Sequence, residues 1–326
     1  GLHAIFYGGK AGVYKHLTVV STASKTVDAA NLWFNSPLRK SLTMCGSRST
    51  SENSHYMDKG ADDKYLVMNA SADGDGGLYA FDMAKLIALD FTNDYSAVDA
   101  CIGYVPSFQT VFGGNQESKG VGVNDALGYA ITGRGSSTNP QRYAGYDLDG
   151  IVASNTTTFK YGATAFSFNE TDAFYADAVE FSLDGSCVYV NQYSPTRTMI
   201  VRYKYDELNS ADSNNNFTVD SSIVTSSSRV RSVNIYELGG REVMFYGEGE
   251  TGVANTGKVW YRIVSNSSWG DETLLLDDDA ITGCVMGVKV SGVGYDKKYL
   301  HVYLDDDTNG QGLRVYALKV YDDGTM

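Results

Sequence analysis

Short apolar, β-rich runs alternate with polar turns along the whole chain. At residues 181–190 the sequence FSLDGSCVYV places an Asp-Gly pair between the end of one apolar run and the start of the next. Because Asp-Gly supplies residues that adopt positive φ, this pattern predicts a two-residue hairpin turn. A polar segment, SPTRT, then leads to a third apolar run, MIVRYKYD. The stretch therefore predicts three successive antiparallel strands.

The same order of strand, polar loop and strand occurs six times in the chain. The turns before five of these hairpins recur at intervals of 62, 60, 55 and 57 residues, with Asp63, Asp125, Gly185, Gly240 and Lys297 as markers. A period this regular indicates repeated units rather than unrelated domains. Strand-like runs between the hairpins bring each unit to about four antiparallel strands, the content of a propeller blade.

We therefore predict an all-β fold, a β-propeller of four-stranded antiparallel blades that forms a single domain over residues 1–326. Six blades fit the hairpins best, and five or seven are the alternatives. A helical pattern is nearly absent, and residues 83–89 (MAKLIAL) form the one short candidate.

The hairpin at residues 181–190 resembles the FSPDGxxxYV blade signature of YVTN and lactonase-type β-propellers. The matching residues are Phe181, Asp184, Gly185, Tyr189 and Val190, and Leu183 stands where that family usually has proline. The resemblance covers one copy of the turn, so it supports the fold and implies little about activity. The composition, rich in Tyr, Asn and Asp, is also similar to that of propellers in surface proteins of Bacteroidota.

Charge and composition narrow the possible partners and locations. The net charge of −13 disfavours nucleic acid, which needs a basic surface, and it equally disfavours an anionic membrane surface. The sequence has no apolar run of about eighteen residues and no signal peptide, and it opens without Met, so we expect a processed N-terminus. We expect an extracytoplasmic bacterial protein, in the periplasm or at the cell surface. The four cysteines form no CxxC pair, which favours buried free thiols over a zinc site.

A binding site is expected at one end of the blades. If the strands of a blade are called a to d, the b–c loops and the d–a crossings share one end, and both sets are long and variable here. This loop-rich end holds several arginines in an acidic protein, among them Arg229, together with aromatic residues suited to stacking on a sugar ring. Our candidate ligand-binding residues are His55, Tyr56, Asp58, Arg134, Arg142, Tyr175, Tyr193, Arg197, Arg231 and Trp269. In the alternative interpretation the arginines pair with loop aspartates and the aromatic side chains pack between blades.

A calcium loop is the one metal signal. Asp305, Asp307 and Asn309, followed by Gly310, match the first half of such a loop, but its twelfth position is Tyr316 rather than an acid. An Asn-Gly hairpin turn explains the same residues, and we favour that interpretation over calcium. We expect no other cofactor.

Catalytic motifs are absent from the sequence, and no acid–base pair stands out by spacing among the 39 acidic residues. His301 lies in a strand-like run, where a packed histidine is expected rather than a ligand. We therefore expect a non-catalytic propeller that binds a glycan or a protein partner at its loop-rich end. The alternative is a propeller enzyme, either a lactonase-like hydrolase or a polysaccharide-degrading enzyme.

Overall fold

The structure is a computed structural model. It describes residues 2–6, 14–21, 39–43, 53–60, 62–71, 77–88, 101–105, 117–135, 143–148, 164–166, 178–194, 197–205, 217–225, 229–250, 253, 256–265, 268–277, 284–292, 298–306 and 310–319. The chain divides into two compact units, residues 1–132 with 143–165 and residues 133–142 with 166–326. Each unit is described by itself below, and the single domain stays a prediction.

Three antiparallel sheets are formed by the strands up to residue 166, and each contains strands that are consecutive in the chain. The first sheet contains β1 (Leu2–Phe6), β2 (Tyr14–Ser21) and β3 (Arg39–Thr43). The second contains β4 (Asn53–Lys59), β5 (Tyr65–Ser71), β6 (Gly77–Asp82) and β7 (Cys101–Val105). The third contains β8 (Glu117–Asn124), β9 (Tyr129–Gly135), β10 (Tyr143–Asp147) and β11 (Thr164–Phe166).

Three further antiparallel sheets follow in the second unit. The fourth sheet contains β12 (Val179–Phe181), β13 (Cys187–Ser194), β14 (Arg197–Tyr205) and β15 (Phe217–Val224). The fifth contains β16 (Val230–Leu238), β17 (Arg241–Glu248), β18 (Lys258–Ser265), β19 (Ser268–Trp269) and β20 (Thr273–Asp277). The sixth contains β21 (Cys284–Gly292), β22 (Lys298–Asp306) and β23 (Gly310–Leu318).

The helix α1 (Met83–Ala88) lies at the position that the sequence predicts. Its first turn is capped by Asp82, whose Oδ1 accepts a hydrogen bond from the backbone N–H of Lys85 at 2.9 Å. Nearly all other regular structure in the described residues is antiparallel strand, so the expectation of an all-β chain of antiparallel sheets is confirmed.

The first turn of the fourth sheet differs from the predicted two-residue turn. The ladder ends at the Phe181–Val188 pair and is extended by a hydrogen bond from Ser182 N to the Cys187 carbonyl, which leaves four turn residues, 183–186. Within this turn only Gly185 has a positive φ, 71°. Asp184 instead acts through its side chain, since its Oδ1 accepts hydrogen bonds from Ser182 Oγ and Ser186 N.

The core of the second unit lies between successive sheets, and β17 shows how the sequence builds it. Val243 and Phe245 contribute to the core shared with the sixth sheet, whereas Met244 and Tyr246 contribute to the core shared with the fourth. Because successive side chains of a strand point to opposite faces, a continuous apolar run buries both faces of one sheet. The run VMFY is therefore an interior strand rather than a half-exposed one.

Successive sheets are also joined by hydrogen bonds at their first strands. Asp58 Oδ2 in β4 accepts the backbone N–H of Val123 in β8 at 3.0 Å, and Asn234 Oδ1 in β16 accepts that of Val290 in β21 at 2.9 Å. Each bond spans about one repeat, 65 residues in the first case and 56 in the second. The sequence period is therefore the distance along the chain between neighbouring sheets.

Candidate functional site

The b–c end of the fourth and fifth sheets brings together residues from a hairpin, a crossing and a loop. The fourth sheet's b–c hairpin is tight: its ladder runs to the Ser194–Arg197 pair, which leaves two residues between β13 and β14. The crossing to the fifth sheet returns beside it, where Thr225 N donates to the Thr198 carbonyl at 3.2 Å. The prediction of a long b–c loop at residues 192–198 (QYSPTRT) is therefore wrong, because β13 and β14 pair up to Ser194 and Arg197.

Arg229 and Tyr193 meet at this end. The guanidinium of Arg229 lies over the ring of Tyr193, with 4.9 Å between Cζ and the ring centroid. Such a contact between a cation and an aromatic ring stabilises by roughly 0.5–1 kcal/mol at an exposed position. Both side chains are half-buried; Tyr193 lies in β13, and Arg229 is the crossing residue just before β16. The predicted convergence of a b–c connection with a d–a crossing is thus observed in these two residues.

The buried side chain of Asn191 fixes where this crossing enters the fifth sheet. Its Nδ2 donates to the Val230 carbonyl at 2.7 Å, and its Oδ1 accepts the backbone N–H of Ala178 at 2.5 Å. An amide that bonds the backbone of two sheets places Val230, and with it the neighbouring Arg229, in one position. The backbone that follows Arg229 is thereby fixed by a buried hydrogen bond.

Thr256 links the described residues of the b–c connection of the fifth sheet. Thr256 Oγ1 accepts the N–H of Glu250 at 2.9 Å and lies 3.0 Å from the carbonyl of Val253, to which it donates. The base of the loop is tied to the crossing by a hydrogen bond from Gly249 N to the Arg229 carbonyl at 3.1 Å. Val253 stands on this loop with 46% of its surface exposed. We call Tyr193, Arg229, Glu250, Val253 and Thr256 together the Arg229 rim.

Arg231 lies next to the rim at an irregularity of β16. Val230 pairs with Glu248 and Ser232 pairs with Gly247, so Arg231 is the extra residue of a β-bulge. In β4, His55 holds the corresponding position, since Ser54 pairs with Ala70 and Tyr56 pairs with Asn69. Bulges redirect a side chain at the edge of a site. The sequence carries no signal for such a bulge, yet two of the predicted residues, His55 and Arg231, are each the extra residue of one.

Four other predicted residues lie within strands rather than in loops. Asp58 was expected in a crossing loop, but it lies in β4 one residue before the strand ends, it is buried, and its carboxylate bonds to Val123 N. Tyr56 also lies within β4, and Arg134 and Arg197 lie within β9 and β14. Arg142 and Tyr175 lie outside the described residues.

Trp269 is at the opposite end of the fifth sheet from the rim, so its expected placement at the loop-rich end is wrong. It pairs with Val264, which in turn pairs with Glu242 beside the a–b turn. The indole meets Tyr189 edge-on at a centroid distance of 5.7 Å, lies 5.6 Å from Arg202 Cζ, and donates from Nε1 to Ser221 Oγ at 3.0 Å. The outer strand of this sheet is split into β19 and β20, and the split places Trp269 against the fourth sheet. It packs between sheets, as the alternative interpretation held.

The calcium signal falls on the turn between β22 and β23. Asp305 and Asp306 are strand residues that pair with Gln311 and Gly310, whereas Asp307 and Asn309 lie outside the described residues. Among the described residues no group of three or more His, Cys, Asp or Glu side chains could hold a metal ion. β22 and β23 form a hairpin whose turn residues lie outside the described ones, so both the Asn-Gly turn and calcium binding there stay predictions.

A polar group at the first strands of the second unit was missed by the sequence analysis. Glu180 in β12 accepts a hydrogen bond from Asn234 Nδ2 at 3.3 Å and pairs with Lys289 Nζ at 3.2 Å. These three residues belong to three successive sheets, and Glu180 and Asn234 are buried. In β22, His301 Nε2 lies 2.7 Å from Ser291 Oγ of β21. Nothing in the residue spacing indicates these contacts, because the Glu180 contacts depend on how the sheets stack and the His301 contact depends on the register of β21 and β22.

Comparison with known proteins identifies the fold. No family profile matches the sequence, and no curated protein does. A chain of the crystal structure of a nidogen/laminin complex aligns over 97% of both chains, with 10% identity and a TM-score of 0.53. A chain of the crystal structure of a mitotic checkpoint complex aligns over 99% of this chain and 75% of that one, with 9% identity and a TM-score of 0.49.

The fold is a β-propeller. The predicted fold class, four-stranded antiparallel blades in an all-β chain, is confirmed, and the number of blades stays a prediction. At 10% identity a likeness shows the fold and nothing of the ligand, since one fold hosts many functions. Among the described residues no helix has the length and hydropathy of a membrane span.

Proposed function

We propose that this protein is a non-catalytic interaction propeller that binds a glycan or a protein partner through the Arg229 rim. The observation that carries the proposal is the stack of Arg229, in the crossing just before β16, on Tyr193 of β13. The carbonyl of the neighbouring Val230 is held by a buried hydrogen bond from Asn191. Arginine and tyrosine are enriched where binding energy concentrates in interfaces. Variable loops on a rigid scaffold are also where propellers and other repeat folds carry binding.

Two further points support an interaction role. The structural neighbour with the higher TM-score comes from a structure whose title names a protein complex, nidogen with laminin. The net charge of −13 means that Arg229 differs in sign from most charged groups of the protein. An extracytoplasmic bacterial location belongs to the same proposal, and it rests on the YVTN-like hairpin at 181–190 and on the Tyr- and Asn-rich composition.

The test compares two exposed or half-exposed arginines at opposite ends of the fifth sheet. The purified protein is screened on a glycan array and against displayed peptides, and each ligand found is titrated against Arg229→Ala and Arg241→Ala. A hydrogen bond to a charged donor contributes about 1.5–3 kcal/mol, so loss of Arg229 should weaken binding by about ten- to a hundredfold. Arg241 is exposed beside the a–b turn, and its loss should leave affinity unchanged. Equal effects of both variants would refute the rim as the site.

A hydrolase is the second candidate, and one contact favours it. Ser291 Oγ and His301 Nε2 are 2.7 Å apart, the separation of a nucleophile and its general base. Lys289, which pairs with Glu180, is opposite His301 in the ladder of β21 and β22. A fluorophosphonate probe should label the wild type and not Ser291→Ala if this serine is activated. Absence of labelling leaves the interaction role as the function.

A further inference from the structure

The outer strand of the fifth sheet, β20, is paired along one edge. It pairs with β18 from Thr273, opposite Tyr261, to Asp277, opposite Lys258. Among the described residues no strand pairs with its other edge. A strand edge presents backbone N–H and C=O groups with which a strand of another chain can pair. The outer edge of β20 is therefore a candidate surface for strand addition.

A β-bulge divides the three leucines of β20 between the core and the surface. Leu276 pairs with Val259. The next residue of β18, Trp260, pairs with Leu274, so Leu275 is the extra residue of the bulge. Leu275 and Leu276 both pack against the core shared with the sixth sheet, whereas Leu274 is 40% exposed. In a regular strand Leu274 and Leu276 would share one face, so the bulge leaves Leu274 as an apolar contact on the edge strand.

Acidic residues flank this edge at both ends. The segment 271–279, DETLLLDDD, contains five acidic residues and no basic one. Asp271 and Asp277 are exposed at the two ends of the strand. Asp277 pairs with Lys258 at 3.7 Å, and a surface ion pair of this kind contributes little, so a cation of a partner can replace Lys258. The charge of the edge therefore suits a basic partner.

The same charge disfavours a second copy of β20 on this edge. An antiparallel pair of two β20 strands would place the acidic end of one strand beside the acidic end of the other. Like charges directly opposite each other destabilise a strand pair, whereas opposite charges stabilise it. A strand with Lys or Arg at these positions is therefore preferred over a second copy.

We propose that β20 binds an extended, basic segment of a partner protein by strand addition at its outer edge. The backbone ladder supplies affinity, Leu274 contacts an apolar side chain of the partner, and Asp271 and Asp277 lie beside its Lys or Arg residues. None of these residues belongs to the Arg229 rim, so this surface goes beyond the proposed function and is tested separately from it.

The probe is a display library of peptides that alternate valine with a polar position drawn from Lys, Glu, Ser and Thr. The immobilised protein should enrich peptides with Lys at most polar positions. A synthetic copy of an enriched peptide should slow the exchange of backbone amide hydrogens in Thr273–Asp277, measured by mass spectrometry, because strand addition places these groups in a ladder.

Two variants of the edge are compared with two matched controls. Leu274→Ser and Asp271→Lys should bind the enriched peptides at least about tenfold more weakly than wild type, since each removes one predicted contact. Leu183→Ser removes a leucine of similar exposure, 39%, from the a–b turn of the fourth sheet. Glu237→Lys reverses the charge of an exposed residue in β16 of the same sheet as β20. Both controls should bind as wild type does.

A library that yields no peptide, or that enriches Lys no more than Glu, would overturn the basic partner. Equal losses of affinity in the variants and the controls, or unchanged amide exchange in Thr273–Asp277, would overturn strand addition at β20. The wild type and Leu274→Ser are also compared by analytical ultracentrifugation. A dimer that forms in the wild type and not in Leu274→Ser would make a second copy the occupant of the edge and overturn the proposal.

Discussion

At two junctions between successive sheets, a carboxylate accepts hydrogen bonds from the a–b turn of the preceding sheet. The two junctions differ in the length of the acid and in the number of backbone N–H groups that it accepts. In the first unit, the carboxylate of Asp125 lies beside the a–b turn of the preceding sheet and accepts the backbone N–H groups of Asp62, Lys64 and Tyr65 at 3.0–3.2 Å. In the second unit, Glu242 accepts the N–H of Leu183 at 3.3 Å, in the equivalent turn, and the Tyr189 hydroxyl donates to it at 3.1 Å. All of these bonds span about one repeat, 53 to 63 residues.

The length of the side chain accounts for the difference. Aspartate is short, so the two backbones approach until a Cβ on Gly60 would lie 2.0 Å from Asp125 Cγ. Glutamate is one methylene longer, and at its junction the turn carries an exposed leucine, Leu183. The shorter acid gains three backbone hydrogen bonds and in return requires glycine opposite it. We therefore expect the first junction to be the stronger and the less tolerant of substitution.

The largest effect is expected for Gly60→Ala. The new Cβ would overlap the Asp125 carboxylate, which is buried and held by three N–H groups, so it must displace the side chain or the turn. Overpacking and loss of charged hydrogen bonds together should lower the free energy of unfolding by about 3 kcal/mol. Urea unfolding followed by tryptophan and tyrosine fluorescence measures this.

Two controls isolate the overlap in this variant. Gly240→Ala places a Cβ where no atom lies within 4 Å, so only the positive φ of 75° opposes it, at about 1 kcal/mol. In an Asp125→Ala background, Gly60→Ala should add much less than it does in the wild type, because the carboxylate is gone. Equal costs of Gly60→Ala in both backgrounds would show that Asp125 does not require this glycine.

Asp125→Asn should be the next most damaging change. The carboxylate uses both oxygens, Oδ2 for Asp62 and Lys64 and Oδ1 for Tyr65. An amide keeps one oxygen and turns an NH₂ group towards a backbone donor, so at least one buried bond is replaced by a repulsive contact. We expect a loss of about 2 kcal/mol at neutral pH, measured by the same urea unfolding. An unchanged unfolding midpoint would contradict the role of this carboxylate.

The features of the fold and of the site that could be predicted from the sequence are those that repeat along the chain. The period of turn markers such as Asp63 and Gly240 predicted the sheets correctly, because a repeated hairpin leaves the same residue types at the same place. The convergence of Tyr193 and Arg229 followed from the expected order of strands. The pairing of Gly60 with Asp125 did not, since it depends on how far two sheets approach. Trp269 was misplaced because a split outer strand leaves no pattern that distinguishes it from a loop.

Glu242→Gln should be milder than Asp125→Asn and gives the direct comparison between the junctions. Glutamine can still accept one hydrogen bond, and Glu242 receives a single backbone N–H, that of Leu183. The Tyr189 hydroxyl can rotate to a remaining acceptor. The expected loss is about 1 kcal/mol, roughly half of that for Asp125→Asn. A loss as large as that of Asp125→Asn would show that the number of backbone donors does not set the strength of a junction.

The smallest effect is a dependence on pH that both junctions share. Burial raises the pKa of Asp125 and of Glu242, and the hydrogen bonds that each accepts only partly offset it. A raised pKa means that the folded state binds the proton more tightly, so these two groups lower the free energy of unfolding as the pH rises from the ordinary carboxyl pKa through the raised one. Asp184 and Asp220 act in the opposite sense because hydrogen bonds lower their pKa despite burial. Their contribution cancels when wild type and variant are compared, because both proteins contain Asp184 and Asp220.

For Asp125→Asn and Glu242→Gln the loss of stability should therefore be greatest in acid and shrink towards neutral pH, by at most about 1.4 kcal/mol per pH unit for each group. Urea unfolding at several pH values measures it, and a loss that grows as the pH rises would mean that burial does not dominate at either carboxylate.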